Sequence, residues 1–160
     1  MAANQPQTPS TLDDLNALVG VELGPSAWSS MSQERVASFG AVTGDLQWIH
    51  VDAPRAEASP LGSTVVHGLF TLSLGPALLA DLISFEHFSA SLNYGYEKVR
   101  FPAPLPTDSR VRLRAKILSV QEGAKGLLLH HEQVFEREDH DRPVCVAVSV
   151  AHLVPGPPPT

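Results

Sequence analysis

The hydrophobic pattern of the chain changes its period near residue 88. Before this point apolar residues recur at helical spacing, and after it they alternate with polar residues, as they do in strands. The clearest alternation is SRVRLRAKIL at 109–118, where apolar residues alternate with three arginines and a lysine. Such a strand buries one face and exposes the other to water. The order of the patterns therefore predicts helices followed by an antiparallel sheet, which is an α+β fold.

The most apolar segment of the first half predicts a buried helix. This segment is HGLFTLSLGPALLADLISF at 67–85. The residues expected on its buried face are Leu69, Leu72, Leu79 and Ile83. Because Gly75-Pro76 interrupts the pattern, we expect a kink or a break near Ser73.

The last predicted strand, PVCVAVSVAHLV at 143–154, has valines on one face and small residues on the other. The small residues are Cys145, Ala147, Ser149 and Ala151. A face of small side chains lets a large element lie close to the sheet. We therefore expect an antiparallel sheet wrapped around one long central helix.

Length and charge limit the possible functions. A chain of 160 residues suits one domain. We expect an unstructured N-terminus at 1–11, the domain at 12–154 and a proline-rich unstructured tail at 155–160. The net charge of −6 argues against a nucleic-acid partner. No apolar run approaches the roughly 18 residues of a membrane helix, so we expect a soluble, cytoplasmic protein with no membrane partner.

The stretch GDLQWIH at 44–50 holds an acid and a base. Ser32 can begin the preceding helix and Gly44 can end it, so Asp45 is expected just beyond a helix end. Asp45 beside His50 makes a proton-transfer pair, from which the intervening Trp48 and Ile49 would exclude water. The alternative is that Asp45 only caps a turn and His50 only satisfies a backbone group.

A second candidate feature is His67-Gly68, at the start of the apolar helix. Helix starts expose unpaired N–H groups, and glycine lets a ligand approach the backbone closely. A carbonyl oxygen that gains negative charge could be held there, as in an oxyanion hole. The alternative is a glycine needed only for a tight turn, with His67 as an ordinary satisfied polar residue.

Three runs together resemble a known family. FGAVTGDLQWIHVDAPRA, VVHGLFTLSLGPALL and NYGYEKVRFPAPLPTDSRVRLRAKI resemble, in this order, the MaoC-type R-specific enoyl-CoA hydratases, close to the branch related to nodulation protein N. The similarity extends from about residue 18 to about residue 153. It implies a single hot-dog fold, in which an antiparallel sheet wraps a central helix, assembled as a homodimer.

The resemblance also implies an activity, which is the reversible hydration of a trans-2-enoyl thioester of CoA or acyl-carrier protein to the (R)-3-hydroxyacyl product. The catalytic acid and histidine of the family fall on Asp45 and His50, and its thioester-binding amide falls on Gly68. Gln47 and His67 are the neighbouring candidate substrate contacts. No cofactor is expected. Gln47-Trp48 replaces a common Asn-Pro, and Pro76 replaces a supporting serine, which leaves the substrate length open.

Two other functions remain possible at this point. A hot-dog thioesterase would hold the same thioester but direct water to the carbonyl carbon, and a non-catalytic module would only bind it. Among the remaining features, the arginine row of 109–118 is expected to be a solvated face rather than a CoA phosphate site. His130 and His131 are adjacent on a strand and face opposite sides, so we expect no metal site there. Three aromatic residues either line an acyl pocket or fill core: Trp48, Tyr94 and Tyr96.

Overall fold

The computed structural model describes residues 5–156 and places all the helices it describes before the four long strands, as the change of period predicts. The helices are α1 Leu12–Ala17, α2 Gln33–Thr43, α3 Trp48–Val51, α4 Ala53–Glu57, α5 Gly68–Ser73 and α6 Gly75–Leu79. The strands are β1 Glu22–Leu23, β2 Ser29–Ser30, β3 Ala90–Arg100, β4 Arg110–Gly123, β5 Gly126–Arg137 and β6 Cys145–Val154.

All strand pairs in the sheet are antiparallel, and the order is β1-β4-β5-β6-β3, with the short β2 also paired to β4. Strands β4, β5 and β6 form a meander, and β3 lies beyond β6 at one edge. Alternate residues of β4 are buried, which confirms the predicted inner face of that strand. The α+β prediction is thus confirmed.

The expected central helix consists of two consecutive short helices, because the chain breaks at Leu74, one residue after the expected position. Leu72 and Leu79 are buried as expected, whereas Leu69 is 64% exposed and was wrongly placed on the buried face. The buried positions at the start of the helix are instead His67, Thr71 and Gly75, which are four residues apart. Small and polar side chains therefore share the buried face with the leucines, which hydrophobicity alone does not predict.

Contacts of the N-terminal segment begin earlier than expected. The Gln7 N–H donates to the Leu82 carbonyl at 2.9 Å, and the Gln7 carbonyl accepts from the Ser84 N–H at 2.8 Å. The expectation of an unstructured segment at 1–11 is therefore wrong at Gln7, because its backbone groups find partners beside the central helix. Residues 1–4, and residues 157–160 of the expected tail, lie outside the described part of the chain.

None of the helices between residues 5 and 156 has the length and apolar character needed to cross a bilayer.

Candidate active site

Asp45 is positioned by the end of α2. The Ser32 hydroxyl accepts from the Arg35 N–H at the start of this helix, and Gly44 ends it with φ of 79°, so both predicted caps are confirmed. The left-handed glycine turns the chain, and Asp45 follows directly. Its side chain is 54% exposed. The Asp45 carboxylate is therefore open to solvent in the single chain, whereas the Asp45 backbone carbonyl is held by a hydrogen bond from His67.

His50 lies in the one-turn helix α3 and is buried. Its Nδ1–H donates to the Val65 carbonyl at 2.6 Å. The Val65 N–H in turn donates to the Ile49 carbonyl at 2.9 Å, which fixes the two segments together. Because Nδ1 carries the donated proton, Nε2 of the neutral imidazole keeps its lone pair. His50 is thus held in the tautomer that can accept a proton at Nε2.

A polar network anchors the backbone of His50. The Gln33 amide donates to the His50 carbonyl at 2.8 Å. The other end of that amide accepts from the Thr64 hydroxyl, which lies 2.7 Å from the Thr107 hydroxyl. These contacts join helix α2 to two distant loops, so no local sequence signal could have revealed them.

His67 is packed against His50. The two imidazole rings stack with centroids 3.7 Å apart and planes 24° apart, and Phe39 lies on His67 at 5.1 Å. His67 Nε2–H donates to the Asp45 carbonyl at 2.9 Å and lies 3.9 Å from the Asp45 carboxylate. His67 therefore connects the two members of the predicted pair. His67 is 2% exposed, which gives substrate little access to its ring.

Asp45, His50 and His67 form one cluster. Each offers a carboxylate oxygen or an imidazole nitrogen, and these atoms all lie within 4.8 Å of one another. A water that accepts and donates hydrogen bonds of about 2.8 Å can bridge two groups at this separation. Stacked imidazoles direct their lone pairs along nearly parallel planes, so both rings cannot readily point at one metal ion. The arrangement suits a shared water better than a shared metal.

Gly68 begins helix α5, directly after His67. The first helical hydrogen bond runs from the Thr71 N–H to the His67 carbonyl, so the Gly68 N–H lies ahead of the helical ladder. A side chain at Gly68 would come within 2.9–3.0 Å of the Phe101 ring. The close packing of Phe101 is therefore an observed reason for the glycine, and it also makes Phe101 a neighbour of the amide.

Gln47 and Trp48 do not cover the acid. Gln47 is exposed, and its side chain does not cap the helix that follows it. Trp48 lies instead under the Arg55 guanidinium, 4.5 Å from its ring centre. The expectation that Trp48 and Ile49 exclude water from the pair is wrong for Asp45 in the single chain, since Trp48 turns to a cation and the carboxylate stays exposed.

Gly40 is a position whose role sequence reasoning missed. A Cβ there would lie 2.9 Å from the Asp45 carbonyl oxygen and 3.5 Å from the His67 ring. Helix α2 can therefore approach both residues only because this position has no side chain. Glycine within a helical pattern was the available signal, but its cause is a contact with residues far along the chain.

Several features that we did not assign to the site have structural explanations. The arginines of β4 are paired, with Arg112 and Arg114 both 2.8 Å from the Glu136 carboxylate. His130 lies 3.3 Å from Glu97, whereas His131 faces the core, so the two do face opposite sides. Cys145 is buried, and burial raises the pKa of its thiol to about 12.

Two curated proteins are similar in sequence to most of this chain. The 3-hydroxyacyl-thioester dehydratase Z of Mycobacterium tuberculosis is 40% identical over 149 residues, which cover 92% of this chain and 99% of that protein. Nodulation protein N of Rhizobium leguminosarum is 38% identical over 140 residues, or 86% of this chain and 87% of that protein.

The solved (R)-hydratase of A. caviae involved in PHA biosynthesis superposes with a TM-score of 0.71 at 19% identity, covering 84% of this chain and 96% of that one. At this identity the likeness shows the fold alone, and it confirms the predicted hot-dog architecture. The model of the MaoC like domain matches residues 14–149. The match spans most of the chain, and the chain therefore belongs to the MaoC-like dehydratase domain family.

Proposed function

We propose that the protein hydrates trans-2-enoyl thioesters, of CoA or of acyl-carrier protein, to (R)-3-hydroxyacyl thioesters, and catalyses the reverse dehydration. The observation that carries this proposal is the approach of the Asp45 carboxylate and the His50 imidazole to within 4.8 Å, with His50 Nε2 left free to accept a proton. The names of the M. tuberculosis dehydratase and of the A. caviae hydratase support the same reaction class.

The reaction needs a base, a proton donor and a group that stabilises negative charge. A water held between Asp45 and His50 loses a proton to the pair as its oxygen bonds to C3 of the alkene. The electron pair of the C2–C3 double bond moves towards the thioester carbonyl, and C2 then receives a proton from the same pair. The Gly68 N–H donates to the thioester oxygen while it carries negative charge.

The stacked His67 supports this chemistry by holding the base. It contacts the face of the His50 ring and donates to the Asp45 backbone, so it fixes the separation of the two groups.

We also propose a homodimer formed through β3. Within residues 5–156 this strand pairs only with β6, so its other edge is open along 11 residues. Leu92 and Tyr94 on it are exposed. A long edge strand with exposed apolar residues is a template for pairing with another chain. A second copy, or the substrate, would also supply the cover that the Asp45 carboxylate lacks in the single chain.

Product analysis with crotonyl-CoA tests the reaction. The expected product is (R)-3-hydroxybutyryl-CoA, without release of free CoA thiol. Release of the thiol would assign the alternative thioesterase reaction. Saturable binding without either product, across short and long enoyl chains, would assign a non-catalytic acyl-thioester binding protein.

Variants test the residues. Asp45→Asn and His50→Gln should each lower kcat by about 10²- to 10⁴-fold, the usual contribution of a positioned acid or base. Asp52→Asn is the matched control, because Asp52 caps the nearby helix α4 through its side-chain oxygen, and asparagine can make the same contact. Near wild-type rates in either site variant, with the fold intact, would remove the pair from the mechanism.

A further inference from the structure

The inner face of the sheet carries a polar group that core packing does not explain. On β5 the buried residues alternate along the strand, and two of them, His131 and Gln133, are polar in an otherwise apolar series. They are 3% and 2% exposed, respectively. Burying polar groups lowers stability unless all their hydrogen bonds are made.

The hydrogen bonds of this pair are incomplete. The Gln133 amide N–H donates to His131 Nε2 at 3.0 Å. Because Nε2 of His131 accepts, Nδ1 carries the proton, and it lies on the far side of the ring, beside the backbone of Leu129. Gln133 Oε1 has no partner among the described residues, so the pair leaves one acceptor unused. A hydroxyl group that donates to this oxygen would complete the hydrogen bonds of the amide.

A cavity of about 470 Å³ lies beside these residues, between the sheet and the end of the central helix. Its sheet side includes His131, Ser149 and Tyr96, which are directly opposite one another on three neighbouring strands. Its helix side is mainly apolar and includes Leu79 and Ile83, with Glu86 in the segment that follows. The cavity therefore offers one polar wall and one mainly apolar wall.

The cavity lies along the central helix from the candidate active site. Gly75, which begins α6, is buried like His67, and Pro76, the next residue, lines the cavity. Leu74 between α5 and α6 keeps right-handed helical angles, so the chain rises by about 10 Å from Gly68 to Gly75. A side chain at Gly75 would lie 2.7 Å from Gln133 Oε1, so the glycine makes room for the amide.

We propose that this cavity receives the far end of the acyl chain and that Gln133, oriented by His131, selects chains that carry a hydroxyl group there. This inference rests on the proposed function, because it takes the thioester to lie at Gly68. The neutral pair suits a hydroxyl rather than a carboxylate. Glu86, which also lines the cavity, would repel an anionic chain end. Burial lowers the pKa of His131 to about 4, which keeps its ring uncharged at neutral pH.

Matched pairs of substrates test the selection. Hydration of trans-2-decenoyl-CoA is compared with that of chains of the same length hydroxylated at single positions from the sixth carbon to the tenth. The expected result is a kcat/KM about 10-fold higher for at least one hydroxylated chain, since one buried hydrogen bond contributes about that factor. Gln133→Leu should bring this ratio close to one, and the milder Ser149→Ala should lower it.

Ile83→Val is the control, because it alters the apolar wall of the same cavity and should change both substrates alike. Equal rates for plain and hydroxylated chains, or a preference that Gln133→Leu leaves unchanged, would overturn the hydroxyl selection. Hydration of the plain chain in the same assay would still support the proposed function. Calorimetric titration with saturated decanoyl-CoA and its hydroxylated counterparts separates the two claims. Preferential binding without any hydration would remove the reaction but retain the hydroxyl selection, and equal binding would refute the selection.

Discussion

The buried His131 predicts a specific loss of stability in mild acid. Burial lowers the pKa of this imidazole from 6.5 to about 4 in the folded protein, because the charged form is poorly solvated there. Between these pH values the unfolded chain binds a proton that the folded chain does not. The free energy of unfolding should therefore fall as the pH drops from 6.5 to about 4, and this contribution should be complete below that range.

The size of the effect follows from the same values. A pKa lowered from 6.5 to about 4 corresponds, at about 1.4 kcal/mol per pH unit, to about 3 kcal/mol. Urea unfolding of the wild type and of His131→Gln, at intervals between pH 4 and pH 7, measures it. Glutamine keeps a hydrogen-bonding group beside Gln133 but does not titrate, so the variant should lose about 1.4 kcal/mol less per pH unit across this window.

The matched control is His87→Gln, which removes a half-exposed imidazole and so measures what the loss of a surface histidine alone does to the stability curve. Parallel curves for the wild type and His131→Gln would refute the reasoning, because they would mean that the folded protein accepts a proton at His131 as easily as the unfolded chain does.

Three further predictions follow from single contacts. Gly40→Ala places a methyl group 2.9 Å from the Asp45 carbonyl oxygen and should lower kcat/KM by about 10-fold or more, although no reacting group changes. Ser38→Ala, on the exposed side of the same helix, should leave kcat/KM unchanged. Equal kcat/KM in the two variants would contradict the role of Gly40. Tyr94→Glu, on the open edge strand β3, should yield monomers in light scattering, whereas Leu118→Glu on β4 should leave the dimer intact. A dimer that persists in Tyr94→Glu argues against the proposed interface through β3. Because burial raises the pKa of Cys145 to about 12, a thiol reagent at pH 8 should label it only after unfolding, and rapid labelling of the native protein would show that the thiol is accessible.

Local signals account for what could be predicted. The cap at Ser32 and the left-handed Gly44 involve neighbours within a few residues, so their types and positions were sufficient to place Asp45 at a helix end. The alternation in β4 and the small-residue face of β6 likewise depend on the period of two alone.

Contacts between distant segments account for what could not be predicted. The stacking of His67 on His50 joins residues 17 apart, and nothing in either neighbourhood indicates it. Leu69 was assigned to the core because it is apolar at a helical spacing. It is exposed, whereas His67 is buried against His50 and Gly75 is buried against Gln133. Hydrophobicity identifies the helix, but contacts of its polar residues with distant segments decide which of its faces is buried.

The convergence of Asp45 and His50 on one water is tested most directly by a double-mutant cycle on crotonyl-CoA hydration. If both groups act on the same water, Asp45→Asn combined with His50→Gln should lower kcat about as much as the more damaging single variant, because either change already disables the pair. Losses that multiply in the double variant would show that the two residues act independently and would contradict the shared water.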